Sequence, residues 1–234
     1  MKIDKCIEEL KKSGIDITED KLIKLEKYYN LLVIWNEKMN LTGITEKEEV
    51  YLKHFYDSLT IVKAVDLNNF NNLCDVGTGA GFPGMVLKIV FPNLNVTLVD
   101  SLNKRLEFLK EVIKELDLKN IEVIHARAEE YALKNREIYD IATARAVAPL
   151  PILLEYIMPL VKVNSYFIAM KANSKEEIEN SKNALAKLSG NIEEIYEFNL
   201  PIENSYRTII KIKKEAKTNL KYPRKYSEIK KKTL

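Results

Sequence analysis

Four of the chain's seven glycines fall within eight residues, in the run Asp75-Val76-Gly77-Thr78-Gly79-Ala80-Gly81-Phe82-Pro83-Gly84. A short apolar run, Leu73 to Val76, leads into it, and a helical pattern reaching Phe91 follows. Glycine concentrates where φ must be positive or where a ligand must lie against bare main chain. A tight turn with no other task rarely takes four. A strand, a glycine turn and a helix start together put the loop at the carboxyl edge of a parallel sheet, where nucleotide cofactors bind.

The rest of the chain supplies that sheet. Strand patterns at Asn95 to Val99, Ile121 to Ile124, Tyr139 to Thr143 and Tyr166 to Met170 alternate with helical patterns at Lys104 to Leu116, Pro149 to Val161 and Lys175 to Leu188. Such alternation predicts an α/β fold, a mostly parallel sheet covered on both faces. Ile192 to Leu200 and Ser205 to Lys213 are separated by only Pro201 to Asn204, too short for a crossover helix, so they predict a C-terminal antiparallel hairpin. This is the Rossmann-like arrangement of class I S-adenosylmethionine-dependent methyltransferases. Helices precede it. Leu22, Leu25, Tyr29, Leu32 and Trp35 follow a helical period with Thr18 as N-cap, and a second helix is expected over Glu46 to Val65. Trp35, Leu32 and Tyr29 are expected to pack these helices onto the sheet. The run Asn68-Asn69-Phe70-Asn71-Asn72 punctuates the boundary. One domain over 1–234 is expected: a helical extension (1–67), the Rossmann-like core (68–213) and a tail (214–234).

The glycine spacing fits two cofactors. Gly79, Gly81 and Gly84 satisfy the dinucleotide pattern G-x-G-x-x-G. Asp75 before Gly77, Gly79 and Gly81 gives D-x-G-x-G-x-G, typical of S-adenosylmethionine sites. That cofactor carries an ammonium group and no pyrophosphate, and Pro83 lacks a backbone donor a pyrophosphate would use. Asp100, at the end of the second strand, is placed to accept hydrogen bonds from ribose hydroxyls. Ala128 and Glu129, after the third strand, offer a backbone N–H and a carboxylate to an adenine edge.

Several chemistries are set aside. There is no Asn-Pro-Pro-aromatic run. Cys74 lies within the first strand and Cys6 in the leading helix, so neither is placed as a nucleophile, and their spacing suits neither a disulfide framework nor a metal. The two histidines, His54 and His125, form no zinc or triad constellation. Arg145 is the lone charge in Thr143 to Pro149, at a strand end, and is expected to act in the reaction or on the cofactor. Lys104, Arg105, Lys171 and Arg207 are expected to ring the same rim with positive charge. Such a site is compatible with a nucleophile that needs no deprotonation, as the 7-nitrogen of guanine.

The net charge of +3 conceals an asymmetry, because Lys211 to Leu234 carry ten Lys/Arg and two acidic residues, leaving the other 210 residues at −5. An acidic body with a basic tail points to a polyanionic partner. Lys230, Lys231 and Lys232 are expected to meet phosphates non-specifically. No apolar signal segment follows Met1-Lys2-Ile3-Asp4-Lys5 and no run is long enough to span a membrane, so cytoplasmic residence is expected.

Together these residues resemble the RsmG (GidB) family. The similarity covers nearly the whole chain. It takes in Trp35-Asn36-Glu37-Lys38-Met39-Asn40-Leu41-Thr42, His54 with Asp57-Ser58-Leu59, the glycine loop, Asp100-Ser101-Leu102-Asn103-Lys104-Arg105, Ser205-Tyr206-Arg207 and Tyr222-Pro223-Arg224-Lys225. The resemblance implies methyl transfer from S-adenosylmethionine to a guanine 7-nitrogen in the decoding-region loop of 16S ribosomal RNA. It implies a cofactor site at Gly77, Phe82, Ala128, Glu129 and Arg145, and a basic rim at Lys104, Arg105, Lys171 and Arg207. With Arg224 and Lys225 of the tail, that rim is expected to hold 16S rRNA or a small-subunit particle, with no metal and as a monomer. After Lys225 the chain departs from the family, reading Tyr226-Ser227-Glu228-Ile229 where many relatives have a Pro/Gly-rich stretch, and Phe82 replaces a common Leu. A non-catalytic ribosome-assembly factor, a small-molecule methyltransferase and, last, an NAD-dependent oxidoreductase are the competing readings.

Overall fold

Strands that must be joined through helices end up parallel, and the alternating runs do so. The computed structural model describes residues 2–234; Met1, the first residue of the charged N-terminal stretch, lies outside them. Seven strands, β1 (Asn72–Val76), β2 (Asn95–Asp100), β3 (Ile121–His125), β4 (Tyr139–Arg145), β5 (Val161–Lys171), β6 (Gly190–Asn199) and β7 (Tyr206–Lys214), form one sheet in the order β3-β2-β1-β4-β5-β7-β6. Only β7 runs antiparallel to its neighbours. The order reverses between β1 and β4, so the crevice for a ligand opens beyond their carboxyl ends. Register places Arg145 beside Met170, and Lys171 beside Thr208.

Two apolar cores flank the sheet. On one face lie α1 (Lys2–Lys12), α2 (Glu19–Met39), α3 (Lys47–Val50), α4 (Asp57–Leu59), α5 (Gly84–Val90) and α6 (Asn103–Glu115). On the other lie α7 (Ala128–Lys134), α8 (Leu150–Ile157), α9 (Lys175–Glu179), α10 (Lys182–Leu188) and α11 (Tyr226–Lys231).

α2 starts after Thr18, as its pattern predicts, but the buried stripe is Leu25, Tyr28 and Leu32. Tyr29 and Trp35 are half-buried, with Trp35 packed on Phe108 at a ring distance of 5.8 Å. Adjacent tyrosines lie about 100° apart on a helix, so periodicity alone does not choose between them. Tyr28 takes the core place because its ring meets Phe55, Phe82 and Phe108 while its hydroxyl donates to the Ala80 carbonyl inside the glycine loop.

The helix expected over Glu46 to Val65 is a composite. Between α3 and α4 the backbone widens into a π turn (Tyr51–Tyr56), and it tightens into a 3-10 turn at Thr60–Lys63. Tyr51, Leu52, Phe55, Tyr56 and Leu59 all stay buried, while Lys53 and His54 reach the strand ends. The helix expected over Lys175 to Leu188 divides around Ser181, whose buried hydroxyl donates to the Glu177 carbonyl. β5 begins five residues earlier than its apolar alternation suggests, at Val161.

The segment 214–234 is not a frayed tail. Lys214 closes β7, fully buried, donating to the Met158 carbonyl and paired with Glu137 at 3.1 Å; burial pushes its ammonium down to about 8. Arg136 donates to the carbonyls of Thr218 and Tyr222, both at 2.6 Å. Arg224 clasps the buried Glu155 of α8 through Nε (2.8 Å) and Nη2 (2.6 Å). Tyr222 and Ile229 are buried in the second core.

Candidate active site

Two cavities, of about 550 and 660 Å³, lie side by side along the carboxyl ends of the strands. The loop Ala146 to Pro149 after β4 lines both and divides them. Ala146 adopts φ 56° there, and Val147 leans so closely over Gly77 that a Cβ at Gly77 would meet its methyl at 2.5 Å.

The smaller cavity runs over β1, β2 and β3. Gly77, Asp100, Ala128 and Glu129, all expected at a cofactor, meet on its wall, with Arg105 beside them. Asp100 organises the wall through main-chain donors: Oδ2 accepts from Gly79 N–H (2.9 Å) and Oδ1 from Leu102 N–H (2.9 Å). Arg105 approaches Oδ2 at 3.4 Å.

Asp75 stands beneath this wall rather than on it. It is fully buried, and its Oδ2 accepts from Thr78 Oγ1 (2.7 Å) and Gly84 N–H (2.8 Å), which ties the two ends of the loop together. Its Oδ1 is the one buried side-chain nitrogen or oxygen without a hydrogen-bond partner among the described residues. Burial pushes the carboxyl up to about 6. Gly81 also turns from the cavity: at φ +98° its Cβ would meet the Tyr28 hydroxyl at 2.5 Å. Phe82, expected at the cofactor, is a core residue, with the His54 ring stacked on it at 4.4 Å. Its size and apolarity commit it to the aromatic cluster around Tyr28 and Phe55.

The larger cavity lies over β4, β5 and β7, roofed by the π turn. Arg145, expected to act in the reaction or on the cofactor, lines this cavity and not the smaller one. Its Nη1 donates to Asp57 Oδ2 (2.9 Å) and the Lys53 carbonyl (3.0 Å), and its guanidinium lies 5.3 Å from the Phe82 ring centre. Arg207 Nε donates to the other oxygen of the same carboxylate, Oδ1, at 3.0 Å. Asp57, with a side chain 6 % exposed, thus bridges two arginines from β4 and β7. His54 Nε2 meets Thr42 Oγ1 at 2.9 Å and Nδ1 faces Arg145 Nη2 at 3.4 Å. Burial, then the Arg145 charge, pushes the imidazole down to about 4, so it is neutral at pH 7.

Lys171 and Arg207 share this cavity, but neither is a free rim charge. Lys171 is 8 % exposed, pairs with Glu177 at 2.7 Å and donates to the Ala148 carbonyl at 2.6 Å. Arg224 is spent on Glu155, and it lines neither cavity. Lys104 and Lys225 are exposed and also line neither. Lys230, expected to meet phosphates, lines the smaller cavity with Tyr226.

Asp57, His54, Glu177 and Tyr226 are the site residues that residue-type reasoning did not assign. On a regular helix Asp57 falls on the side away from Phe55, Leu59 and Val62, where a carboxylate is ordinary, so the helical period carried no signal for it. Among the described residues no group of His, Cys, Asp and Glu is arranged to hold a metal, and no helix is long and apolar enough to cross a membrane.

The sheet order, its single reversed strand and the glycine loop at the switch point define a class I methyltransferase. Solved methyltransferases share the fold. A SAM-dependent methyltransferase from Aquifex aeolicus aligns with TM-score 0.51 at 19 % identity, covering 70 % of this chain and 92 % of that one. TYW2 of M. jannaschii, solved with AdoMet, aligns with TM-score 0.52 at 16 % identity, covering 62 % and 69 %. The model of the GidB family, rRNA small subunit methyltransferase G, matches residues 21–207. The Ribosomal RNA small subunit methyltransferase G of Bacillus licheniformis is 52 % identical over 228 residues, 96 % of this chain and 95 % of its own. That of Acetivibrio thermocellus is 55 % identical over 214 residues, 91 % and 88 %. The chain belongs to the rRNA small subunit methyltransferase G family.

Proposed function

We propose that the chain transfers a methyl group from S-adenosylmethionine to the 7-nitrogen of a guanine in small-subunit ribosomal RNA. The carrying observation is the larger cavity: it adjoins the smaller one across a single loop, and every titratable side chain on its wall already has a polar partner, so no free base is poised there.

The smaller cavity fits the cofactor. Asp100 and the main chain around it suit a ribose, Ala128 and Glu129 suit an adenine edge, and the Asp75 carboxylate, buried beneath the loop with Oδ1 unpartnered, places negative charge behind a cationic group at Gly77. When bound, S-adenosylmethionine supplies an electrophilic methyl group on its sulfonium. The larger cavity takes the base. The guanine 7-nitrogen has a free lone pair, so the wall must align it rather than deprotonate it. Arg145 and Arg207, held by one carboxylate, present donors suited to the guanine 6-oxygen. His54 stays neutral and its ring nitrogens face Thr42 and Arg145, which removes it as a proton acceptor.

Lys104 and Lys225 meet the RNA backbone outside the cavities and Arg105 does so from the wall of the smaller one, whereas Lys171 and Arg207 act inside the larger. Arg224 serves the RNA only by holding the tail in place. Helical extension, sheet and tail act as one monomeric unit in the cytoplasm. The test is methyl transfer from labelled S-adenosylmethionine to 16S RNA and to small-subunit particles, followed by nucleoside mass spectrometry. The expected product is 7-methylguanosine; label on another base atom, or on neither substrate, overturns the reading.

A further inference from the structure

The anchors of the C-terminal segment decide which way α11 faces. Arg224 on Glu155 and Ile229 in the second core hold one side of the segment against α8. Tyr226 and Lys230, four residues apart and so on one helix face, turn to the smaller cavity and line it with Arg127. The Arg127 guanidinium lies 4.7 Å from the Tyr226 ring centre, and Lys230 Nζ lies 5.3 Å from the same ring. Even so, Tyr226 is 37 % exposed, an aromatic surface left open at the rim of a cavity.

The cavity has a direction. Gly77 is at the β1 end, Asp100 at β2, and Arg127 and Glu129 follow β3. A ligand with its amino-acid end at the glycine loop and its ribose at Asp100 puts its adenine at the β3 end, where α11 stands. Flat aromatic and guanidinium surfaces suit a purine face.

We propose that α11 is the outer wall of the adenosine subsite, with Tyr226 contacting the adenine ring and orienting Arg127 beside it. The segment after Lys225 is then part of cofactor recognition rather than an RNA-binding tail. This rests on the cofactor reading above and adds to it a residue in the stretch where the chain departs from its family's pattern.

Calorimetry on the full chain without RNA tests it, with S-adenosylhomocysteine and adenosine as the probes. Stacking on an aromatic ring supports a large share of such affinity, so Tyr226→Ala should weaken both ligands by about ten-fold. The two losses should be equal, because the contact is to the moiety they share. Tyr226→Phe, which keeps the ring, should bind both within about two-fold of wild type. The melting temperature of Tyr226→Ala should stay at the wild-type value, since Ile229 and Arg224 still hold the tail. Unchanged affinity in Tyr226→Ala, or a loss accompanied by a lowered melting temperature and not restored by Phe, overturns the inference alone. A wild-type chain that binds neither ligand overturns the cofactor reading and the inference with it.

Discussion

The two cavities share a wall yet are held open by different forces. In the smaller one, carboxylates accept from main-chain N–H groups: Asp100 from Gly79 and Leu102, Asp75 from Gly84. In the larger one, side chains hold side chains: Asp57 grips Arg145 and Arg207, and Glu177 grips Lys171. Main-chain donors stay where the strands put them, so the first arrangement tolerates substitution of any one neighbour. Ion pairs have no such scaffold, and losing one member leaves the others as unpaired, poorly solvated charges.

The largest expected effect therefore falls on the larger cavity. Asp57→Ala should lower stability by roughly 3–5 kcal/mol, as removal of one partner from a buried pair does. At temperatures where it is folded, methyl transfer should fall steeply while S-adenosylhomocysteine affinity, by calorimetry, stays within about two-fold. Equal losses of both would merge the two cavities into one functional unit. Gly81→Ala strikes the joint between them, since its Cβ would collide with the Tyr28 hydroxyl and with Met85 and Leu109. Strain and overpacking together should cost on the order of 3 kcal/mol by denaturant unfolding, with both affinities reduced. A stable, fully active variant would mean that the loop does not depend on α2.

Asp100→Asn keeps the shape of the smaller wall and removes its charge. Hydrogen bonds to a charged acceptor are worth roughly 1.5–3 kcal/mol, so cofactor affinity should fall by about ten- to a hundred-fold while RNA affinity by filter binding is unchanged. Loss of RNA affinity instead would put the cofactor elsewhere. The smallest effect belongs to His54. The unfolded chain takes up a proton near pH 6.5, but the folded imidazole does so only near about 4. Stability is then lost as pH falls from about 6.5 toward 4, because the unfolded state binds the proton more readily. His54→Gln removes that loss. From pH 7 to pH 5 the melting difference should move in favour of the variant, by on the order of 1 kcal/mol. A constant difference would show that His54 titrates normally in the fold.

The same contrast explains what could be read from the residues. Gly77, Asp100, Ala128 and Glu129 each follow a strand of the same local unit, so motif spacing located them. Asp57 meets Arg145 and Arg207 from 88 and 150 positions away, and no local pattern encodes such a meeting. Arg145 was legible as a lone charge at a strand end, but which cavity it served depended on the π turn, which has no period of its own. Tyr28 and Tyr29 were indistinguishable until the glycine loop supplied a carbonyl for one hydroxyl. The tail misled because ten cations in a short stretch imply solvent exposure. Lys214 and Arg224 instead answer acidic residues on distant elements.

The docked tail also bears on what a truncation would do. Lys214, Tyr222 and Ile229 are all buried, and Arg224 is the partner of a fully buried carboxylate, Glu155. Cutting the chain ahead of Arg224 would therefore not trim a loose appendage. It would strand Glu155 as a buried charge without its cation, and it would take Tyr226 and Lys230 from the wall of the smaller cavity.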